Sequence, residues 1–213
     1  MGAESKSDPE GVVTVVLASA SPRRSALLSQ SGVDFVVRPT AADETLAAPV
    51  APEDAARSLA ERKARAGAEA WSEGAALVIG ADTIVALPEG EAWTLLGKPT
   101  DARDAERMLR ALSGSVHKVV TGVCVVAAPE NHVCVDVETT EVHMRTLTDA
   151  EVADYVASGE WEDKAGGYAI QETADRFVTR LEGGGFDNVV GLPVARCRAL
   201  LERCAQGVGR SWA

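Results

Sequence analysis

The chain has 213 residues, of which 46% are hydrophobic and 25% charged, and its formal net charge is -11. These values are typical of one large globular domain or of two lobes around a cleft. The negative charge argues against general binding to a nucleic-acid backbone, so an anionic ligand would need a local basic pocket. No apolar run approaches the length of a membrane span, and the N-terminal segment lacks a signal-peptide core.

The cysteines and histidines give no indication of a disulfide framework or a zinc site. Cys124, Cys134, Cys197 and Cys204 form no Cys-x-x-Cys pair, and the three histidines are not clustered in sequence. In a chain of this size, such cysteines are expected to be reduced thiols. The sequence therefore predicts a cytoplasmic protein without zinc.

The most informative segment is the first predicted strand and helix. An apolar β-branched run at 12–16 leads through small residues to Pro22, which takes the first position of a helix. Arg23 and Arg24 lie in its first turn, where free backbone N–H groups and the helix dipole favour an anion. A guanidinium binds phosphate with two hydrogen bonds. The pair indicates a phosphate site, although two solvated arginines would give the same pattern.

The elements that follow alternate between helices and strands, which predicts an α/β protein with a mixed sheet. In chain order they are a short strand (34–38), a loop (39–52), a long helix (first turn 52–54, continuing over 55–71) and an apolar strand (75–80, continuing at 84–87). They continue with a helix (101–112), a hairpin (116–127 and 132–145), a capped helix (148–157), two strands (166–170 and 177–181) and a helix (193–206). We expect a flexible extension at 1–11, one domain at 12–206 and a flexible tail at 207–213.

Several polar residues stand where these elements end. Asp82 is predicted to end the apolar strand, where a carboxylate can bind Mg²⁺, take a proton from water or merely cap a turn. Lys98 precedes Pro99, which favours extended backbone and directs the lysine out of a loop. Lys63 lies on the long helix, where it could equally be solvated. Gln171, at a predicted strand end, suits a base or sugar edge or an exposed surface.

Together these residues suggest three chemical groups around one ligand. Polyphosphate charge could be neutralised by Arg23, Arg24, Lys63 and Lys98. A metal and a reacting water could be held by Glu44 and Asp82, and a base could be read by Thr83 and Gln171. No arrangement of serine, cysteine and histidine offers a competing nucleophile.

Short motifs also occur along the chain in a fixed order. They are Leu17-Ala18-Ser19-Ala20-Ser21-Pro22-Arg23-Arg24, Glu44, Ala60-Glu61-Arg62-Lys63-Ala64, Gly80-Ala81-Asp82-Thr83, Gly97-Lys98-Pro99, Leu112-Ser113-Gly114, Asp163-Lys164-Ala165-Gly166, Ile170-Gln171 and Val189-Val190-Gly191-Leu192-Pro193. In this order they resemble the motifs of the Maf family of nucleoside triphosphate pyrophosphatases. The resemblance extends over most of the chain, and many ordered matches make it specific.

The resemblance implies a Maf-like (ITPase-like) α/β fold, with a mixed twisted sheet, helices on both faces and two lobes around a cleft. The single catalytic domain would be 12–206. The implied reaction is hydrolysis of a nucleoside triphosphate to monophosphate and pyrophosphate with a divalent metal, Mg²⁺ or Mn²⁺. The implied roles are catalysis for Asp82, Lys63, Lys98 and Arg24, substrate binding for Ser19, Arg23, Thr83 and Gln171, and metal binding for Glu44 and Asp82.

Arg23, Thr83 and Gln171 occupy positions that sort substrates within the family, and their combination resembles the branch acting on dTTP and UTP. Two features depart from the family pattern. Glu172 stands where a glycine often follows the glutamine. Segment 87–96 is longer than usual and is expected to form either a lid or an inert loop. The expected partner is a nucleoside triphosphate, without nucleic-acid polymer or membrane, and a homodimer is left open. The alternatives are modified purine triphosphates such as 7-methyl-GTP, or a nucleotide-binding regulator of cell division without useful turnover.

Overall fold

In the computed structural model, which describes residues 13–46 and 50–212, the chain forms a seven-stranded mixed sheet with six α-helices. The strands are β1 (Thr14–Leu17), β2 (Val36–Val37), β3 (Ala76–Glu89), β4 (Ala92–Leu96), β5 (Val116–Ala128), β6 (His132–Met144) and β7 (Val178–Glu182). The helices are α1 (Pro22–Gln30), α2 (Pro52–Ala70), α3 (Ala102–Leu112), α4 (Asp149–Ser158), α5 (Phe186–Val190) and α6 (Val194–Gly207). The predicted α/β class and mixed sheet are confirmed, and the expected extension at 1–11 lies outside the described residues.

The sheet has the order β2-β1-β3-β5-β6-β7, with β4 paired to β3. β1 runs parallel to β2 and β3, and the other pairs are antiparallel. On one edge, β3 pairs with β1 as far as Ile79 and with β4 from Val85 onward. On its other edge, β3 pairs with β5 from Ala76 to Ala86. Among the described strands, none therefore pairs with residues 80–84 on the first edge.

The helices cover both faces of the sheet. α2 packs on one face, where Ala60 and Ala64 meet Cys124 and Val126 of β5. On the opposite face, α1 and α6 contribute to one apolar cluster, and α3 and α4 contribute to a second cluster around the other end of β5. No helix in the described part of the chain is long and apolar enough to cross a membrane.

Two glycines allow α2 to lie directly on the sheet. A Cβ atom at Gly80 of β3 would collide with the backbone of Ala64, and one at Gly122 of β5 would collide with the backbone of Ala56. Backbone therefore contacts backbone at both points. This close approach brings Lys63, next to Ala64, over the middle of β3.

The structure corrects two predicted strands. The strand predicted to end before Asp82 continues to Glu89, because β5 supplies hydrogen bonds on both sides of that residue. Asp82 therefore lies within β3 rather than at its end. The strand predicted at 166–170 is a 3₁₀ turn at Ala165–Gly167 followed by irregular chain. Gly166 and Gly167 have φ angles of 70° and 71°, which a strand does not allow.

Two segments are more ordered than their composition suggests. Segment 87–96 forms the antiparallel end of β3 and β4 rather than a loop, and the Lys118 ammonium lies 4.6 Å from the Trp93 ring centroid. The tail predicted to be flexible contacts the domain over its described residues. Val13 N–H donates to the Ser211 carbonyl at 3.1 Å, and Trp212 packs against the cluster formed with α6.

Candidate active site

A cavity of about 360 Å³ opens at the edge of β3 that no described strand covers. This volume lies within the usual range for small-molecule sites. The cavity is bordered by the first turn of α1, by α2, by the β4 end and by the irregular chain after Lys164. Its lining contains all but one of the residues predicted from sequence, namely Arg23, Arg24, Glu44, Lys63, Asp82, Thr83, Lys98 and Gln171.

Lys63 joins two carboxylates at the floor of this cavity. Its Nζ atom lies 2.5 Å from Asp82 Oδ1 and 2.8 Å from Glu44 Oε1. The Lys63 and Asp82 side chains are 14% and 12% exposed, whereas that of Glu44 is 62% exposed. The hydrogen bond donated by Lys63 holds the pKa of Glu44 below its ordinary value. Both acids therefore approach the cavity next to one shared cation.

Arg24 connects three separate segments of the chain. Its Nε donates to the Gly191 carbonyl at 2.8 Å, and its terminal nitrogens donate to Ser19 Oγ at 3.3 Å and to Thr83 Oγ1 at 3.1 Å. Removal from water lowers the pKa of the guanidinium, and the charge of Asp82 opposes that shift. An arginine stays charged in proteins. Three uncharged oxygen atoms therefore fix the orientation of the Arg24 guanidinium.

Ser19 is the predicted residue that does not line the cavity. It is 7% exposed, and its Oγ accepts hydrogen bonds from Arg24 and from the Ser21 amide. In the structure, Ser19 supports Arg24 and the turn before α1 through these two hydrogen bonds. A contact between Ser19 and a ligand stays a prediction.

Thr83 is held by a chain of buried hydroxyl groups. Thr121 Oγ1 donates to the Asn188 carbonyl at 2.8 Å and lies 3.0 Å from Thr83 Oγ1. A hydroxyl has one hydrogen to donate, so Thr83 donates to Thr121 while it accepts from Arg24. The Thr83 hydrogen is thus already used within the protein. Thr121 could not be singled out from the sequence because it is one polar residue within an apolar run, and Asn188 because it follows Asp187 without a distinctive pattern.

Two cations of the cavity, Lys98 and Arg23, are less constrained than Lys63 and Arg24. Lys98 is exposed, and within the described residues it forms no hydrogen bond or ion pair. Arg23 donates to the Asp163 carbonyl at 3.4 Å. Lys164, to which the sequence analysis gave no separate role, lines the cavity and lies 3.6 Å from Glu172. Its position in the motif Asp163-Lys164-Ala165-Gly166 was the available signal.

Gln171 lines the cavity beside a mainly apolar wall. It is exposed, and Tyr168, Ala169 and Ile170 before it are buried and line the same cavity. An apolar wall with a neutral amide at its end suits a flat ring that carries hydrogen-bonding groups. This wall therefore differs chemically from the charged floor around Lys63.

Tyr168 is positioned by a buried histidine that sequence analysis also missed. His117 Nε2 lies 2.8 Å from the Tyr168 hydroxyl, and its Nδ1 lies 3.2 Å from Ser115 Oγ. Burial lowers the pKa of His117 to about 4, so the ring is neutral near pH 7. His117 thus supports the cavity wall without adding charge.

The acids suit a hard divalent cation. Carboxylate oxygens are ligands that Mg²⁺ takes, usually one or two together with substrate phosphates. Glu44 and Asp82 provide this donor set, because both already reach one cation, the Lys63 ammonium. The cavity lining contains no cysteine or histidine among its described residues that would favour a softer metal.

A mixed α/β sheet with a charged cavity on the edge of a central strand defines a protein with a site for a small anionic molecule. The chain belongs to the Maf-like protein family, whose model matches residues 14–204. It is 51% identical to the dTTP/UTP pyrophosphatase of Salinibacter ruber over 85% of this chain and 86% of the relative. It is also 46% identical to a dTTP/UTP pyrophosphatase of Koribacter versatilis over 89% and 93% of the two chains. A third such relative, from an Anaeromyxobacter species, is 49% identical over 89% and 88%.

Proposed function

We propose that this protein is a nucleoside triphosphate pyrophosphatase that hydrolyses dTTP and UTP to the monophosphate and pyrophosphate. The observation that carries the proposal is the meeting of Asp82, Glu44 and Lys63 beside Arg24 in one cavity. The names of the relatives support the substrate, since three of them at 46–51% identity are dTTP/UTP pyrophosphatases.

The cations of the cavity bind the triphosphate in this proposal. Arg24 offers a directed guanidinium, and Lys98 and Arg23 add charge nearer the entrance. Such charge-assisted contacts matter most where negative charge develops on the leaving pyrophosphate. A protein with a net negative charge thus binds an anion through a local group of basic side chains.

Asp82 takes the proton of the water that attacks the α-phosphorus. Lys63 holds the Asp82 carboxylate in place through its hydrogen bond and forms an ion pair with Glu44 at the same time. A divalent cation held by Glu44 and Asp82 would neutralise phosphate charge and make a nearby water more acidic. Mg²⁺ or Mn²⁺ fits this donor set.

The wall around Gln171 selects the base. A neutral amide can both donate to and accept from a pyrimidine edge. Arg23 borders the same entrance, and Thr83 acts through Arg24, whose direction it fixes. The described cysteines are all free, which is consistent with a cytoplasmic location for this reaction.

Hydrolysis in isotopically labelled water tests both the reaction and its position. With Mg²⁺ or Mn²⁺ and either UTP or dTTP, we expect equal amounts of monophosphate and pyrophosphate, with the label only in the monophosphate. Label in pyrophosphate or release of inorganic phosphate would contradict attack at the α-phosphorus. A panel with CTP, GTP, ITP and 7-methyl-GTP tests the preference for the base. Absence of turnover on every triphosphate would favour the alternative of a nucleotide-binding regulator.

A further inference from the structure

A cluster of soft metal-binding side chains lies away from the cavity. His132 begins β6, Cys134 follows two residues later, and Cys204 faces them from α6. The possible ligand atoms of all three lie within 4.8 Å of one another, and Cys134 Sγ is 3.7 Å from His132 Nε2. None of the three lines the active-site cavity.

These distances resemble the edges of a tetrahedral zinc site. Zinc bonds of about 2.3 Å to sulfur and 2.0–2.1 Å to nitrogen place neighbouring sulfur and nitrogen ligands about 3.6 Å apart. The separation between Cys134 Sγ and His132 Nε2 is close to that value. The Cys204 ligand atom lies within 4.8 Å of the other two, so the third ligand needs a contraction of no more than about 1.2 Å. Two thiolates and one imidazole are also a ligand set that zinc accepts.

The surroundings of the cluster hold the three groups in place. Cys204 Sγ lies 3.4 and 3.5 Å from the carbonyl oxygens of His132 and Val125, either of which can accept its one hydrogen. A Cβ atom at Gly207 would collide with His132 Nε2, so this glycine leaves the room that the imidazole occupies. Cys134 and Cys204 are buried, whereas His132 is exposed. An ion could therefore enter past the imidazole, and a water could complete its coordination.

We propose that His132, Cys134 and Cys204 form a zinc-binding site that joins the C-terminal part of α6 to the start of β6. On binding, each thiol releases one proton to solvent, and the imidazole binds in its neutral form. Two thiolates then balance the charge of Zn²⁺, which suits a largely buried position. The sulfur and nitrogen ligands separate this site from Glu44 and Asp82, which offer only oxygen.

Cobalt titration of the full chain tests the proposal directly. The reduced protein, first freed of metal with a chelator, is titrated with Co²⁺ and then with Zn²⁺. We expect a thiolate-to-cobalt absorption band that saturates at one equivalent and is abolished by Zn²⁺. Cys134→Ser and Cys204→Ser should each weaken binding at least about tenfold.

Two cysteines provide matched controls. Cys197 lies on α6 in the same apolar cluster, and Cys124 lies on β5 on the opposite face of the sheet. Cys197→Ser and Cys124→Ser should retain the cobalt band. Asp82→Asn should also retain it, because oxygen ligands give no thiolate absorption. His132→Gln, at an exposed position, tests the third ligand if the serine variants fail to fold.

The proposal is overturned if the wild-type protein gives no thiolate band. It is equally overturned if the band survives in folded Cys134→Ser and Cys204→Ser, or in folded His132→Gln with unchanged affinity. A thiol count of the denatured reduced protein confirms that four free cysteines entered the titration. Failure of this site would leave the proposed pyrophosphatase activity unaffected.

Discussion

Lys63 and Asp82 lie on two different layers of the protein, yet their charged atoms are 2.5 Å apart. The contact depends on the missing side chain of Gly80, which lets α2 rest on the backbone of β3. A charged pair that is mostly shielded from water is sensitive to the loss of either partner. Its geometry is therefore controlled by packing as well as by the two charges.

Gly80→Ala should disturb this packing. The added methyl group would collide with the backbone of α2, which cannot move aside as a flexible side chain can. We expect a loss of about 1–3 kcal/mol in the free energy of unfolding, together with lower turnover. Urea unfolding measures the first effect. Gly97→Ala is the control for stability, because among the described residues no atom beyond its chain neighbours lies within 4 Å of the added Cβ.

Asp82→Asn should stop catalysis while preserving nucleotide binding. Asparagine keeps the size of the side chain and an oxygen that can accept from Lys63, but it cannot take a proton from water. We expect kcat to fall at least about 100-fold. Asp43→Asn, on the exposed loop beside Glu44, should behave like the wild type. Near-normal turnover of Asp82→Asn, or equal loss in the control, would contradict the assigned role.

Arg24→Ala and Lys98→Ala should both lower kcat/KM for triphosphates, but with different effects on stability. Each charge-assisted contact to phosphate contributes about 1.5–3 kcal/mol. Arg24 also binds three protein oxygens, so its removal should lower the melting temperature. Lys98 has no described protein partner, and its removal should leave that temperature unchanged. Arg57→Ala, at an exposed arginine paired with Asp54, is the control.

If both variants keep full kcat/KM for every triphosphate, the phosphate site lies elsewhere. Loss of activity in Arg24→Ala alone would mean that the Arg24 guanidinium, and not Lys98, neutralises the phosphate charge. Circular dichroism and thermal melting separate this outcome from simple unfolding.

Gln171→Ala should raise KM for UTP more than it lowers kcat. A site that hydrogen-bonds a base edge discriminates against a base that leaves its polar groups unpaired. The measurement compares kcat/KM for UTP, dTTP, GTP and 7-methyl-GTP between wild type and variant. Glu172→Gln is the companion variant, because Glu172 lies next in sequence and 3.6 Å from Lys164. A purine preference in the wild type would refute the predicted base preference but would not contradict the proposed hydrolysis.

His117 should make the protein less stable in acid. Its folded pKa of about 4 lies below the ordinary value of 6.5, so the unfolded chain binds the proton more readily. The stability due to neutral His117 is complete above about pH 6.5 and falls as the pH approaches about 4, by up to about 3 kcal/mol. His117→Gln retains polar atoms but cannot titrate. The pH-dependent loss in urea unfolding should therefore be smaller in the variant, and identical losses would refute this.

Local signals in the sequence predicted the local structure well. Thr148 and Glu151 form both hydrogen bonds of the predicted capping box before α4, and Gly159 ends that helix in the left-handed region. Pro22 opens α1 as expected. The hairpin of β5 and β6 is also confirmed, since two β-rich runs and a short turn between them specify it.

Contacts between distant residues were not predictable in the same way. The pattern around Asp82 resembles a strand end because the segment 80–83 interrupts the apolar run, yet β5 continues the pairing. His117 and Tyr168 approach each other only after folding, as do His132 and Cys204. Glu44 lies in a loop without periodic signal, so its residue type and the family resemblance suggested its role, and no local structural pattern did.

The edge of β3 at residues 80–84, which no described strand covers, presents main-chain N–H and C=O groups beside the cavity. Substitution can replace the side chains around a ligand, but it leaves these backbone groups in place. A ligand held partly by this edge would keep the same anchor while its selectivity changed. The site is therefore suited to divergence in substrate preference through a few exposed positions, such as Gln171, without rebuilding the sheet.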